Sequence, residues 1–290
     1  MAECVIAVDV GGTTMKGGLV SRSGRVLRYE RRPTPRGEGA ERVVAAVADF
    51  VDDLAAPGAH TPLAVGLAVP GLVTPERAVF SAAFGWRDVP ARAFTRADLP
   101  VALGHDVRAA GAAELAYGPA RTAEHVLYLP VGTGIAGALV LSGSLYGGAS
   151  GWAGQIGHIP VHPDGLPCGC GQRGCLGLYA SASAIAAACG EKSAADVVTR
   201  VRAGDPEAER VWARAVEALA LALTTYTLLL HPTLIVIGGG LSLAGEDLLG
   251  PLRSRLTALL PLPEPPEVEV SALGVDAGLL GAALQGWRAR

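Results

Sequence analysis

Val5-Ile6-Ala7-Val8-Asp9-Val10-Gly11-Gly12-Thr13-Thr14 is the stretch on which the reading of this chain turns. Its β-branched half, Val5 to Val10, predicts a short strand. That strand empties into paired glycines and threonines, which are turn residues. Gly18-Leu19-Val20 follows, with a further turn at Ser23-Gly24, so the segment reads as a hairpin with a Gly/Thr tip. A second unit of the same kind spans Val126 to Leu141, with Val131-Gly132-Thr133-Gly134 at its tip and Ala138-Leu139-Val140 beyond. Side by side the two read as an internal duplication of one glycine-rich hairpin per lobe, although fragments this short can also match by chance.

Between and after the hairpins, strand and helix patterns alternate. Glu41 to Leu54 has helical apolar spacing, and Leu63 to Val69 reads as a buried strand stopped by Pro70-Gly71. Val101 to Gly104 predicts a strand running into His105-Asp106, followed by an Ala-rich helix over Val107 to Tyr117. Asp205-Pro206 has the form of an N-cap with proline at the first helical position, opening a helix to about Leu230. Leu234 to Ile237 predicts a strand that ends in Gly238-Gly239-Gly240. Glu267 to Ala272 reads as the last strand and Asp276 to Trp287 as the closing helix. The alternation predicts an α/β class. With 290 residues, half of them hydrophobic, the chain is long enough for two lobes. The expected division is 1–115 for a small lobe, with 276–290 packing back on it, and 116–275 for a large lobe.

Composition narrows the function classes. A net charge of −3 gives no long-range attraction for nucleic acid or an anionic membrane, so a small-molecule partner is favoured. Arg22, Arg25, Arg28, Arg31, Arg32 and Arg36 form the basic stretch, read as a solvated hairpin because they surround Ser23-Gly24 and Pro33-Thr34-Pro35. The most apolar run, Ala218 to Leu230, is short for a bilayer, follows a charged segment and ends at His231-Pro232. It reads as a buried helix. The N-terminus carries no basic n-region or cleavage pattern, and the five cysteines are an odd, clustered set, so a cytoplasmic, reducing compartment is expected.

Phosphoryl transfer needs backbone N–H groups and cations around phosphates, and a carboxylate to take a hydroxyl proton. Gly11, Gly12, Thr13 and Thr14, with Gly132, Thr133 and Gly134, supply two turns whose amides can face an anion. The bland alternative is two ordinary hairpin turns, and no P-loop pattern is present. Asp9 at the strand end suits Mg²⁺ held through water. Gly238-Gly239-Gly240 leaves room for a flat adenine against the backbone, or is plain turn chemistry. Asp106 is a candidate general base at a strand-to-helix junction, with a simple N-cap as the equal alternative. Cys168, Cys170 and Cys175 with His158 or His162 make a Cys₃His set that closes a structural zinc site. A disulfide is the competing reading.

At these residues the chain resembles the ROK family of bacterial sugar kinases and repressors. The likeness is carried by Asp9-Val-Gly-Gly-Thr-Thr-Met-Lys16, Gly66-Leu-Ala-Val-Pro-Gly71, Asp106 to Glu114, Gly132-Thr-Gly-Ile135, Gly151 to His158, Cys168 to Cys175 and Gly238-Gly-Gly-Leu-Ser242. The resemblance implies an actin/hexokinase-like two-lobe ATPase fold with duplicated βββαβα-type domains, and ATP and Mg²⁺ in the cleft. It implies phosphorylation of a 6-type hydroxyl of glucose or a relative, and a homodimer. It also implies Asp106 as base, nucleotide contacts at Asp9, Gly11 to Thr14, Lys16, Gly132 to Gly134, Gly239 and Gly240, and sugar contacts at Gly71, His105, Asp106, Gln155 and His158. His158 rather than His162 becomes the fourth ligand of a structural Zn²⁺. Because the first motif begins at Asp9, no winged-helix segment like that of the family's repressors is expected.

Four positions depart from the family. Gln155 stands where a sugar-binding carboxylate is usual, Gly177 where a glutamate is, and His105 and Ala83 where asparagines are. These positions hold the hydroxyls far from the reacting end. The expectation is therefore a kinase for a substrate that differs from glucose at carbons 1 to 3, a deoxy, amino or acylated hexose with a neutral sugar favoured over a cationic amino sugar, or a cyclitol such as a C7-cyclitol. The alternatives are a glucokinase proper or a sugar-binding sensor without catalysis.

Overall fold

The computed structural model describes residues 3–290. The chain divides into two compact units, 1–117 with 276–290, and 118–275. Each has its own hydrophobic core.

In the first unit the chain runs through β1 (Cys4–Val10), β2 (Thr14–Ser21), β3 (Val26–Pro33), α1 (Ala40–Ala55), β4 (Pro62–Val69), β5 (Leu72–Thr74), β6 (Arg77–Ser81), β7 (Trp86–Pro90), β8 (Val101–His105) and α2 (Asp106–Tyr117). The main sheet has the order β3-β2-β1-β4-β8, with β1 to β3 antiparallel and β4 and β8 parallel to β1. The β1 and β4 strands are buried nearly end to end, as strands covered on both faces must be. α1 lays Val43, Val47, Phe50, Val51 and Leu54 on one side of this sheet, a stripe at helical spacing.

The basic stretch lies on the hairpin expected for it, with its turn at residues 22–24; its outer arm, residues 26–33, is β3, an edge strand the sequence reading did not name, with Arg32 paired to Asp53 at 2.8 Å and Arg28 paired to Glu30. Charges on an edge strand mask its apolar alternation. A small sheet of β5, β6 and β7 went unread, because three short strands give too little periodicity to register.

The second unit contains β9 (Val126–Pro130), β10 (Ala138–Leu141), β11 (Ser144–Tyr146), α3 (Gly177–Ala180), α4 (Ala182–Ala188), α5 (Ala194–Arg202), α6 (Pro206–Leu230), β12 (Leu234–Gly238), α7 (Glu246–Leu259) and β13 (Glu267–Val270). Its sheet has the order β11-β10-β9-β12-β13, again an antiparallel triplet followed by two parallel strands. The same topology thus occurs twice. α6 begins as its sequence dictates: Asp205 accepts from the Glu207 and Ala208 amides, Pro206 fills the first turn, and His231 ends the helix in the left-handed region. It is long and apolar enough to cross a membrane, yet its Trp212, Leu219, Leu223 and Tyr226 face lies in the core. The last helix, α8 (Ala277–Ala289), belongs to the first unit and packs on β1, β4, β8 and α2.

Candidate active site

The first glycine turn closes β1 onto β2. Gly11 donates to the Thr14 carbonyl at 3.2 Å, leaving Gly12 and Thr13 exposed at the tip. Thr34, which the sequence did not single out, secures this turn from outside: its amide donates to Thr13 O at 3.0 Å and its hydroxyl to Gly11 O at 2.7 Å.

Asp9 stands at the end of β1, opposite Lys16 in register, and the Lys16 ammonium lies 3.7 Å from its carboxylate. Burial pushes the Asp9 carboxyl up to about 6; Lys16 pulls against this, while Asp106 and Asp276 add to it. Asp276, immediately before α8, is a second acid that sequence reasoning missed. α8 comes so close that a Cβ on Gly278 would stand 2.6 Å from Asp9 Cγ. Only glycine fits there.

Two side chains meet the first amides of α2. His105 Nδ1 accepts from the Arg108 amide at 3.4 Å, which is the capping bond three residues into the helix. Asp106 accepts from the adjacent Val107 amide, at 2.8 Å, and lies 3.3 Å from His105 Nδ1. Burial, and then Arg108, lower the His105 imidazole to about 4, so it is neutral at pH 7 with its proton on Nε2. Burial raises the Asp106 carboxyl, with the Val107 amide acting against the shift. With the cap supplied by its neighbour, Asp106 keeps an oxygen for a substrate proton. Gly71 follows β4 with φ +116°, and Ala83 sits in the β6–β7 turn.

In the second unit, Gly132 donates to Gly134 O at 3.0 Å. The turn is held by the Ala182 amide on Gly132 O and the Ser183 hydroxyl on Thr133 O at 2.6 Å. A Cβ on Gly132 or Gly134 would meet nothing within 4 Å, and neither has positive φ. Gly240 is the same. The fold does not require glycine at these positions; close approach of a ligand would. Gly239, by contrast, has φ +73° and a structural reason to be glycine. Beside Gly240 is a cavity of about 180 Å³ lined by Ala194, Val198, Leu241 and Leu243. A larger hollow of about 520 Å³ lies at the opposite end of β12, walled by His231, Pro232 and Glu264.

His158, Cys168, Cys170 and Cys175 present ligand atoms all within 4.8 Å of one another. Cys168 Sγ is 3.8 Å from His158 Nδ1, and Cys170 Sγ is 3.7 Å from Cys175 Sγ. A tetrahedral zinc with bonds of about 2.3 Å has edges of about 3.8 Å, so the donor set fits, and no disulfide joins these cysteines. The Gln172 amide, with neighbouring thiols, holds the Cys170 thiol down at about 6, while burial pushes Cys175 up to about 12. His162 is outside the cluster and packs edge-on against Tyr179. The loop is laced to the turn that carries Gln155: the Leu176 amide donates to Ile159 O at 2.9 Å, and Gly177 lies against Gly157 O. The turn of Gln155 and His158 and the residue Gly177 are thereby tied to the cysteine loop.

Two five-stranded sheets of identical order, each opening on a glycine turn, define the actin/hexokinase-like class of fold. The sequence pattern of the ROK family matches residues 5–286, and the chain belongs to that family. It is 36% identical to the glucokinase of Thermotoga maritima, over 96% of both chains. It is 35% identical to an N-acetylmannosamine kinase of Yersinia pseudotuberculosis, over 96% of this chain and 97% of the other. The ROK glucokinase of Streptomyces griseus, solved with glucose and AMPPNP, superposes with a TM-score of 0.86 at 30% identity, over 98% of this chain and 99% of that one.

Proposed function

We propose that the protein is an ATP-dependent kinase that phosphorylates the primary hydroxyl of a hexose or hexose-like molecule other than ordinary glucose. The observation that carries this is Asp106: a half-buried carboxylate at the start of α2, its capping duty taken over by His105. In the reaction Asp106 accepts the proton of the attacking hydroxyl, whose oxygen forms a bond to the γ-phosphorus as the bond to the ADP leaving group breaks. The amides of Gly12 and Thr13, and of Thr133 and Gly134, would face the phosphates, those of Gly11 and Gly132 being used to close the two turns, and the cavity beside Gly240 takes the adenine. That cavity favours a nucleotide over polyphosphate as donor. Asp9, with Lys16 beside it, would orient Mg²⁺ through water, and Mg²⁺ when bound offsets phosphate charge. Zinc held by His158, Cys168, Cys170 and Cys175 would keep the loop that carries Gln155 in shape, which requires thiols kept reduced.

The departures at Ala83, His105, Gln155 and Gly177 argue against glucose. A hydroxyl buried without its partner costs roughly 1–3 kcal/mol, so two lost carboxylates weaken glucose selection by orders of magnitude. Candidates are a neutral deoxy or N-acylated hexose and a C7-cyclitol. The test measures ADP release with ATP over a panel of glucose, N-acetylmannosamine, 2-deoxyglucose and valienol-type cyclitols. Glucose emerging with the highest kcat/KM would overturn the substrate assignment. Asp106→Asn is expected to lose at least about 10²-fold in kcat while still binding the sugar; a variant that still turns over normally removes Asp106 as base. A non-catalytic sensor is the second reading, favoured if no sugar stimulates ATP consumption.

A further inference from the structure

We propose that Arg36 is an additional phosphate-binding residue, its guanidinium donating to the non-bridging oxygens of the phosphoryl group that the first glycine turn holds. This rests on reading that turn as a phosphate cradle. Arg36 ends the basic stretch, whose other members the kinase chemistry does not use.

Its placement is built by short-range bonds. Thr34 is buried and bonded to both sides of the glycine turn, by its amide to Thr13 O and by its hydroxyl to Gly11 O. The Arg36 amide then donates to Thr34 O at 2.8 Å, closing a tight bend that brings residue 36 back toward the tip. A Cβ on Gly12 would have Arg36 Nη1 as its nearest neighbour, at 3.9 Å. The guanidinium therefore stands about one atom's reach from the exposed backbone of the tip.

Charge accounting separates Arg36 from Arg28, Arg32 and Arg42. Arg28 is paired with Glu30, Arg32 with Glu30 and Asp53, and Arg42 with Glu38 and Asp49. Glu38, the acid nearest Arg36 in sequence, is thus engaged by Arg42. The exposed side chain of Arg36 makes no hydrogen bond, ion pair or ring contact among the described residues. A planar fork of N–H donors beside backbone amides that face an anion is the arrangement that grips phosphate bidentately. In the transfer step it would offset the charge on the equatorial oxygens while the bond to the attacking oxygen forms and the bond to ADP breaks. The proton still goes to Asp106.

The experiment compares full-length wild type, Arg36→Ala and Arg36→Lys in two assays: steady-state kinetics with ATP and the best sugar of the panel, and calorimetric binding of tripolyphosphate. Arg36→Ala is expected to lose about 10²-fold in kcat, with the sugar KM within about twofold and melting within about 2 °C, since the residue is exposed. Arg36→Lys should recover only part of the loss, because a point charge cannot make the paired bonds. Tripolyphosphate should bind Arg36→Ala at least about tenfold more weakly than wild type. Equal tripolyphosphate affinity in wild type and Arg36→Ala, or unchanged kcat/KM for ATP, overturns the proposal. If no sugar of the panel turns over, the kinase reading is what fails, and the tripolyphosphate comparison still decides the role of Arg36.

Discussion

Replacing Asp9 by asparagine is expected to stabilise this protein while abolishing its chemistry. The carboxyl is held at about 6 against an ordinary 3.8, chiefly by burial; the attraction of Lys16 is already included in that balance. Its side chain is only 16% exposed, so little of the effect is lost to solvent screening. A displacement of about two pH units corresponds to about 3 kcal/mol of folding free energy that the ionised acid takes from the native state. The sign follows from proton counting. Between about pH 4 and pH 6 the folded chain binds more protons than the unfolded one, so wild-type stability declines as pH rises through that window. Asparagine has no proton to lose. Denaturant unfolding at pH 8 should therefore find Asp9→Asn more stable by about 3 kcal/mol, with the gap closing by about pH 3, where the wild-type acid is largely protonated in both states. A variant no more stable than wild type at pH 8, or a gap that ignores pH, would refute the reasoning. Such a gain would identify Asp9 as a residue kept for function at the expense of stability.

Other outcomes are expected from the same geometry. Gly278→Ala puts a methyl group onto the Asp9 carboxylate, so kcat should fall about 10²-fold; the double variant with Asp9→Ala should regain melting temperature lost by Gly278→Ala alone, and no recovery would dismiss the contact. Gln155→Glu combined with Gly177→Glu should raise kcat/KM for glucose, each acid contributing roughly 1–3 kcal/mol. An unchanged sugar ranking in that double variant would show that these positions do not select the substrate. Elemental analysis should find one zinc per chain, and Cys175→Ser should lower the melting temperature and weaken sugar binding more than ATP binding. Unchanged melting in the metal-free protein would contradict a structural zinc.

Much of this architecture was legible locally. The β1–β2 and β9–β10 hairpins announce themselves because strand and turn residues lie next to one another in sequence. The α6 cap at Asp205-Pro206 does so for the same reason. The cysteine cluster was legible too, since three of its ligands fall within eight residues. The edge strand β3 was hidden because its side chains are charged and its pairing partner supplies the hydrogen bonds. Thr34, Ser183 and Asp276 were hidden for a different reason: each acts on a segment distant in sequence, and an isolated Thr, Ser or Asp carries no pattern.

The order of residues alone determined where most of the chain turns, most of its strands and helices, β3 and the β5–β7 sheet excepted, and which short runs are candidates for phosphate, metal and acid chemistry, because those preferences are set by near neighbours. Spacing left two matters balanced: whether Asp106 is a cap or a free acid, and which histidine joins the cysteines. Tertiary structure decided which side chain meets which amide and which imidazole lies beside the thiols. His105 takes the Arg108 amide and releases Asp106, and the Ile156–His158 turn brings His158 to the thiols while His162 is drawn away onto Tyr179. Burial, which shifts the acids at 9 and 106, exists only once α8 and α2 have packed against the sheet, so no local reading of the chain contains it.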